Sequence, residues 1–168
     1  QTDVHDFWSA YFYLHFYTVN TAKLSENVWK EAEKMLEQIQ KYPQKEEYQK
    51  LVEADRINLY EREAEKGDDR KFLEETDRVF KENLRGDPAW KLYERKLVYL
   101  ESKQPDISRE FERFLKKYPK VMDAYVEYSI YLCRNNKMTQ AQRVYREGRK
   151  RTGMTSKRAE ELRRKLGL

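Results

Sequence analysis

Residues 125–148 read YVEYSIYLCRNNKMTQAQRVYREG. Tyr125, Tyr128 and Leu132 recur at i, i+3 and i+7, with Ser129 beside them, which is one face of a helix. Asn135-Asn136-Lys137 is a polar break of turn type. Beyond it, Ala141, Val144, Tyr145 and Gly148 make a second helical stripe. Two short helices joined by a tight turn form a hairpin that cannot bury both of its faces alone. Such a hairpin needs neighbours of its own kind, so the stretch predicts a stack of hairpins.

Composition agrees with an all-helical chain. The protein has 168 residues, with 39% charged and 14% aromatic. That aromatic content argues against disorder. Glycine (5) and proline (4) are scarce, and the dominant Lys, Glu, Arg, Leu and Tyr suit amphipathic helices. Apolar residues come in stripes and not in membrane-length runs, so no membrane partner is expected. No signal peptide is visible. Gln1 in place of Met raises the expectation of a longer parent protein. The lone Cys133 excludes an intrachain disulfide and suits a reducing, intracellular compartment.

Read outward from the hairpin, the stripes predict further helices. The first spans about 3–18 and carries Phe7, Trp8, Tyr11, Phe12, Tyr13, Phe16 and Tyr17 on more than one stripe. It is expected to be buried on several sides, either innermost in the fold or against a missing repeat or a second copy. A second helix, capped by Ser25 and stopped by Pro43, carries Val28, Trp29, Ala32, Leu36 and Ile39. A third covers about 46–66, with Gly67 as its C′ residue. A fourth, capped by Asp68 or Asp69, carries Phe72, Leu73, Val79, Phe80 and Leu84. Arg85-Gly86-Asp87-Pro88 reads as a loop between helices, and its integrin-like tripeptide is assigned no role. A fifth helix from Pro88 presents Trp90, Tyr93, Leu97, Val98 and Leu100 inward. A sixth, capped by Asp106 and ended by Pro119, carries Ile107, Phe111, Phe114 and Leu115. Gly153 breaks the chain after the hairpin. Thr155 or Ser156 then caps a last helix whose stripe is Ala159, Leu162 and Leu166.

The helix pairs repeat. Trp8 with Tyr11, Trp90 with Tyr93 and Tyr125 with Tyr128 are aromatics three apart in a first helix, and Tyr48 with Leu51 is a weaker copy. These starts lie about 35 to 42 residues apart. Ala32-Leu36-Ile39 and Ala141-Tyr145-Gly148 share a spacing in the second helices, and Tyr42-Pro43 matches Tyr118-Pro119. The pattern resembles the tetratricopeptide repeat. Trp90 and Tyr93 followed by Glu94, and the run from Arg143 to Glu147, resemble its half-a-tetratricopeptide (HAT) variant. The first two hairpins depart from both, with longer turns and Tyr48 in place of tryptophan. The resemblance implies a right-handed α-solenoid of about four helix-turn-helix repeats, near 3–43, 46–87, 88–119 and 120–152, with a capping helix at 154–167. These form one domain over 1–168. It further implies a scaffold in RNA-processing or ribonucleoprotein assemblies, in the nucleus or nucleolus.

No residue pattern for catalysis, cofactor or metal is present. The five glycines are scattered singly. His5 and His15 lack the companions a zinc site needs, and His15 is expected to be a partly buried packing residue. Cys133 has no visible activating partner and reads as a small core or surface residue. A non-enzymatic interaction protein is therefore expected, with protein subunits as partners.

Three surfaces remain. The first is a partner groove on the first helices, with Lys91 and Arg95 beside Trp90 and with Asp123, Val126 and Ile130 around Tyr125; it suits an acidic-hydrophobic peptide. The second is a basic end. From Arg143 to Leu168 the chain holds ten lysines and arginines against three glutamates, while the remainder is slightly acidic. Its expected contacts with RNA or an acidic partner are Arg146, Arg149, Lys150, Arg151, Arg163, Arg164 and Lys165. Against that stands a solvated end cap, and no free stacking aromatic accompanies the charges. The third is the last helix, expected to fold back on Val144 and Tyr145 as a cap, with a lead into a further repeat or docking on a partner as the alternatives. Alternatives kept open are direct RNA binding, a general peptide adaptor, and self-association through the aromatic first helix.

Overall fold

The computed structural model describes residues 7–19, 26–42, 46–65, 67–81 and 86–168, without the side chains of 26–29, 46–48, 50 and 86–88. The described residues are all-α: α1 (Phe7–Val19), α2 (Glu26–Ile39), α3 (Glu46–Glu65), α4 (Arg70–Lys81), α5 (Gly86–Glu101), α6 (Ser108–Lys117), α7 (Met122–Arg134), α8 (Met138–Thr152) and α9 (Lys157–Lys165). Among them no strand forms, and no helix is long and apolar enough to cross a membrane. Ser25, Pro43, Leu84, His5 and the side chains of Val28, Trp29 and Tyr48 lie outside the described residues. The chain divides into two compact units, 1–77 and 78–168, with the boundary inside α4.

In the first unit, α1 packs on α2 and α3. The core holds Ala10, Tyr11 and Leu14 of α1, Ala32, Met35, Leu36 and Ile39 of α2, and Val52 and Leu59 of α3. The aromatic helix is not buried on several sides: Ala10, Tyr11, Leu14 and Thr18 face inward and its other aromatics face water or the rim. One polar group enters this core. Asp55 is 2% exposed and accepts the Thr18 hydroxyl at 2.8 Å. The His15 ring contacts both of its oxygens through Nδ1 at 3.1 Å. His15 is therefore a half-exposed partner of a buried carboxylate, and its ring also stacks on that of Tyr11 at 5.7 Å. It clamps α1 to α3. Arg56 pairs with Glu75 at 2.8 Å, and Lys71 reaches Glu33 at 2.6 Å, tying α4 to α3 and α2. Gly67 adopts φ 117° after α3, which favours glycine, and its N–H donates to the Ala64 carbonyl.

The second unit is held by an aromatic spine. Phe80 meets Tyr93 at 4.8 Å, Trp90 meets Phe114 at 5.0 Å, and Phe111 stacks on Tyr128 at 4.8 Å. These ring pairs run from the end of α4 through α5 and α6 to α7. Two expectations for α5 fail. It begins at Gly86, so residues 86–88 form its first turn and not a loop; proline is tolerated there because the first N–H groups of a helix have no partner to lose. Val98 is 66% exposed, and Lys96, 4% exposed, occupies the inner stripe instead. Lys96 is accommodated because its ammonium donates to Glu110 at 3.0 Å and lies 5.2 Å from the Tyr93 ring centroid. Tyr93 donates its hydroxyl to the same carboxylate at 2.6 Å.

The 125–148 hairpin forms as α7 and α8. The Lys137 N–H donates to Leu132 O and the Asn136 N–H to Cys133 O, with Asn136 at φ 57°. Asparagine tolerates that left-handed cap better than most residues. Gly153 closes α8 at φ 66°. Ser156, not Thr155, caps α9, accepting the Ala159 N–H at 3.2 Å. Asp106 sits one residue before the N-cap of α6, Ile107, and accepts the Ser108 N–H at 2.8 Å.

Candidate functional site

A groove of about 740 Å³ lies wholly within the second unit, between α6 and α8 with α7 as its floor. Helix periodicity builds each wall. Ser108, Glu112, Leu115 and Lys116 line it from α6; Gln140, Arg143, Val144, Glu147 and Arg151 line it from α8. Tyr125, Tyr128 and Leu132 lie between them. All three are buried, so the floor is carbon-rich and preformed.

The two ends are closed by charge pairs. At the N-terminal ends of α6 and α8, Lys137 donates to Asp106 at 2.7 Å. The Lys137 and Ser108 hydrogen bonds hold the Asp106 carboxyl well below its ordinary value, and Asp106 raises Lys137 in turn. Tyr131 locks this end, accepting the buried Ile107 N–H at 3.0 Å. At the other end Arg151 pairs with Glu147 and lowers its carboxyl, and Tyr125 donates to the Pro119 carbonyl at 3.2 Å. Glu112 accepts the Tyr128 hydroxyl at 3.2 Å, and burial first, then this carboxylate, push that phenol up to about 12. Lys116 and Arg143 are the exposed cations of the groove walls that form no ion pair among the described residues. The groove thus offers two cations over tyrosine, leucine and valine carbon.

The groove expected from the first helices looks different. Lys91 and Asp123 are exposed, and Arg95 and Ile130 half-buried. Val126 is 1% exposed, a correction: it belongs to the core and offers no surface. Its helix is covered by α9, with which α7 packs. Glu94, Asp123 and Glu127 lie near it. Burial raises the Glu94 carboxyl, Glu127 and Asp123 raise it further, and Arg158 opposes them. Arg158 in turn pairs with Glu127.

The basic end separates into tied and untied cations. Arg151 pairs with Glu147, and Arg163 pairs with Glu160 at 2.9 Å and donates to the Leu168 carbonyl. Arg146, Arg149 and Lys150 of α8 and Arg164 and Lys165 of α9 are exposed and form no ion pair among the described residues. Tyr145 is buried, donating its hydroxyl to Ala159 O at 3.0 Å, so it offers no stacking face. Burial pushes the Cys133 thiol up, away from thiolate character. Among the described residues no group of three His, Cys, Asp or Glu side chains is placed to hold a metal ion.

The α6–α8 groove was not anticipated, because Tyr125 and Tyr128 read as core and the i, i+3 recurrence of Gln140, Arg143 and the i+4 step to Glu147 and Arg151 reads as a solvated face. Leu115 and Val144, which belong to the apolar stripes of their helices, are only half-buried and line the groove. No family model, curated protein or solved structure matches the chain.

Proposed function

We propose that the chain is a non-catalytic interaction scaffold, a tetratricopeptide-like solenoid of stacked hairpins with α9 as its terminal cap. Its α6–α8 groove seats an acidic-hydrophobic segment of a protein partner. The observation behind this reading is the pairing of Lys116 and Arg143 with an apolar and aromatic floor, between ends already neutralised by their own ion pairs. A partner carboxylate gains a cation there without displacing an internal one, and its apolar side chains cover Leu115 and Val144. The resemblance to the HAT pattern is what supports assigning such a scaffold to a nuclear or nucleolar RNA-processing or ribonucleoprotein assembly.

The test is selection of a displayed random-peptide library against the purified chain. Wild-type protein should enrich peptides that combine Asp or Glu with Leu, Ile or Phe, and the double reversal Lys116→Glu, Arg143→Glu should abolish that enrichment. Peptides without acidic residues, or enrichment that survives the reversal, would refute the groove.

A second reading is direct RNA binding, favoured by the untied exposed cations Arg146, Arg149 and Lys150 on α8. It requires retention of a labelled single-stranded RNA that falls steeply with salt. The triple reversal Arg146→Glu, Arg149→Glu, Lys150→Glu should remove that retention and leave peptide capture intact.

A further inference from the structure

We propose that the exposed side of α1 is a homotypic contact surface that seats α1 of a second copy of this chain. It lies in the first unit and is independent of the α6–α8 groove. Trp8 is 42% exposed, Phe12 62%, Tyr13 44%, Phe16 58% and Val19 60%. Trp8, Phe12, Phe16 and Val19 fall at i, i+4, i+8 and i+11, a single stripe along three turns of helix, and Tyr13 flanks it. Besides the Trp8 indole N–H and the Tyr13 hydroxyl, only Ser9 and His15 bring polar atoms to this side. In a chain that is 39% charged, the thirteen residues of α1 include no Asp, Glu, Lys or Arg. A helix side meant for water would carry such residues.

Neutrality and size both select a second copy as occupant. An isologous contact sets every residue of a patch against the same patch, so any net charge repels itself. The α1 stripe has none to repel. Its pattern is close to symmetric under reversal. An antiparallel partner helix sets Trp8 against Val19 of the second copy, and Phe12 against its Phe16. Each large ring then meets another apolar side chain. Taking about 200 Å² for an aromatic side chain, the exposed fractions leave roughly 500 Å² of apolar surface per copy once Val19 is added. Two copies would cover about 1,000 Å², the size at which a specific interface begins. A contact of that size is reversible, with dissociation expected in the micromolar range. The inner side of α1 is fixed by the core and by the Thr18 and His15 contacts to Asp55, so the stripe is presented on a rigid support.

The experiment is sedimentation velocity on the whole chain from about 1 to 100 μM at about 0.15 M salt, the range a Kd of this class demands. Wild-type protein should pass from monomer to dimer across that range. Phe12→Glu with Phe16→Glu should shift the midpoint upward by at least about 100-fold, since each removes an aromatic anchor and brings two carboxylates together across the dyad. Both substitutions are at exposed positions, and an unchanged far-ultraviolet circular dichroism spectrum certifies the fold. A milder pair, Phe12→Ser with Phe16→Ser, should move the midpoint in the same direction if the glutamates disturb α1 itself. A wild-type chain that stays monomeric at 100 μM leaves the stripe to another polypeptide and overturns the proposal. So does a dimer that persists unchanged in a folded Phe12, Phe16 variant.

Discussion

Replacing Gly148 by alanine tests how closely α7 and α8 approach. A Cβ added at Gly148 would lie 2.6 Å from both Cβ and Cγ of Tyr125, and closer still to Cε of Met154. The methionine methyl can swing aside at little cost. Tyr125 Cβ cannot, because it is fixed to the α7 backbone and no rotamer moves it. Carbon atoms rest at about 3.5–4.0 Å, so the two helices must part locally by about 1 Å. Overpacking of this kind costs about 1–3 kcal/mol, and the absence of a side-chain escape puts Gly148→Ala in the upper half of that range. Against it stands the gain of about 1 kcal/mol from replacing glycine within a helix. The net expectation is a loss of about 1–2 kcal/mol, seen as a fall in Tm of about 5–10 °C for a unit of this size.

Urea denaturation followed by tyrosine and tryptophan fluorescence gives the first number, and a thermal melt gives the second. Gly153→Ala is the control. Gly153 has open space for a Cβ but sits at φ 66°, so its cost is backbone strain of about 1–2 kcal/mol, with no packing component. Gly148→Val should then cost more than Gly148→Ala because volume is the cause. A Gly148→Ala variant more stable than wild type would mean that helix propensity dominates. The close approach of α7 and α8, and the hairpin reading of residues 125–148 with it, would then be refuted.

Further expectations follow from the polar groups in the two cores. Asp55→Ala should destabilise the first unit by about 1–2 kcal/mol, because the buried Thr18 hydroxyl falls back on the His15 carbonyl at 3.1 Å and the His15 ring loses its partner; Asp55→Asn should cost about half as much, and equal losses in urea denaturation would deny the hydrogen bond its role. Tyr131→Phe strands the buried Ile107 N–H at the start of α6 and should cost about 1–2 kcal/mol, against less than 0.5 kcal/mol if water replaces the phenol. Burial raises the Glu110 carboxyl, but the Tyr93 and Lys96 hydrogen bonds outweigh it and hold the group below its ordinary value. A carboxyl lowered in the folded state stabilises above the unfolded value of about 4.3 and loses that contribution as pH falls through the folded one. Stability of the second unit should therefore decline below about pH 4.3, and Glu110→Gln should flatten that part of the profile. An unchanged acid limb in the variant would show that other carboxylates carry it.

Much of the helical register could be read from periodicity, and the departures have physical causes. Ala159, Leu162 and Leu166 are buried as their spacing requires, and Ser156 caps α9. Val126 and Val98 mark the limits of a single-stripe reading. Val126 lies beside the Tyr125 stripe, yet α7 is covered on more than one side, so a flanking position is buried too. Val98 follows Leu97, yet the inward arc of α5 runs through Tyr93, Lys96, Leu97 and Leu100. Lysine can occupy that arc only because Glu110 meets it from α6, a partner that no local pattern reveals. Asp55 is the same case in the first unit. It stands in register with Val52 and Leu59, and the reason is Thr18, thirty-seven positions away. A charged residue on an apolar stripe was the one legible clue in both places.

The charge pattern of the second unit decides which side an acidic segment can use. On the α5, α7 and α9 side, Glu94, Asp123 and Glu127 are close enough for the two others to raise Glu94, and Arg158 is the cation that opposes them. A partner carboxylate arriving beside Glu94 would add to the repulsion already present there. On the α6 and α8 side, each acidic residue of the groove is already engaged: Asp106 by Lys137, Glu147 by Arg151, Glu112 by the Tyr128 hydroxyl. Lys116 and Arg143 are left over, opposed by Glu112 alone, whose charge a phenol does not neutralise. The last helix helps to keep the two sides distinct. It is anchored to α8 through the Tyr145 hydroxyl on Ala159 O and the Gln142 amide on Leu166 O, and to α7 through Arg158 on Glu127. Arg158 thus neutralises one acid of the first side while its helix caps the core. Removing it should leave Glu94 and Glu127 less compensated and deepen the negative field opposite the groove. The net charge of +5 conceals this polarity, because the excess of cations sits on α8 and α9 and the acids that matter are clustered on one side of α5 and α7.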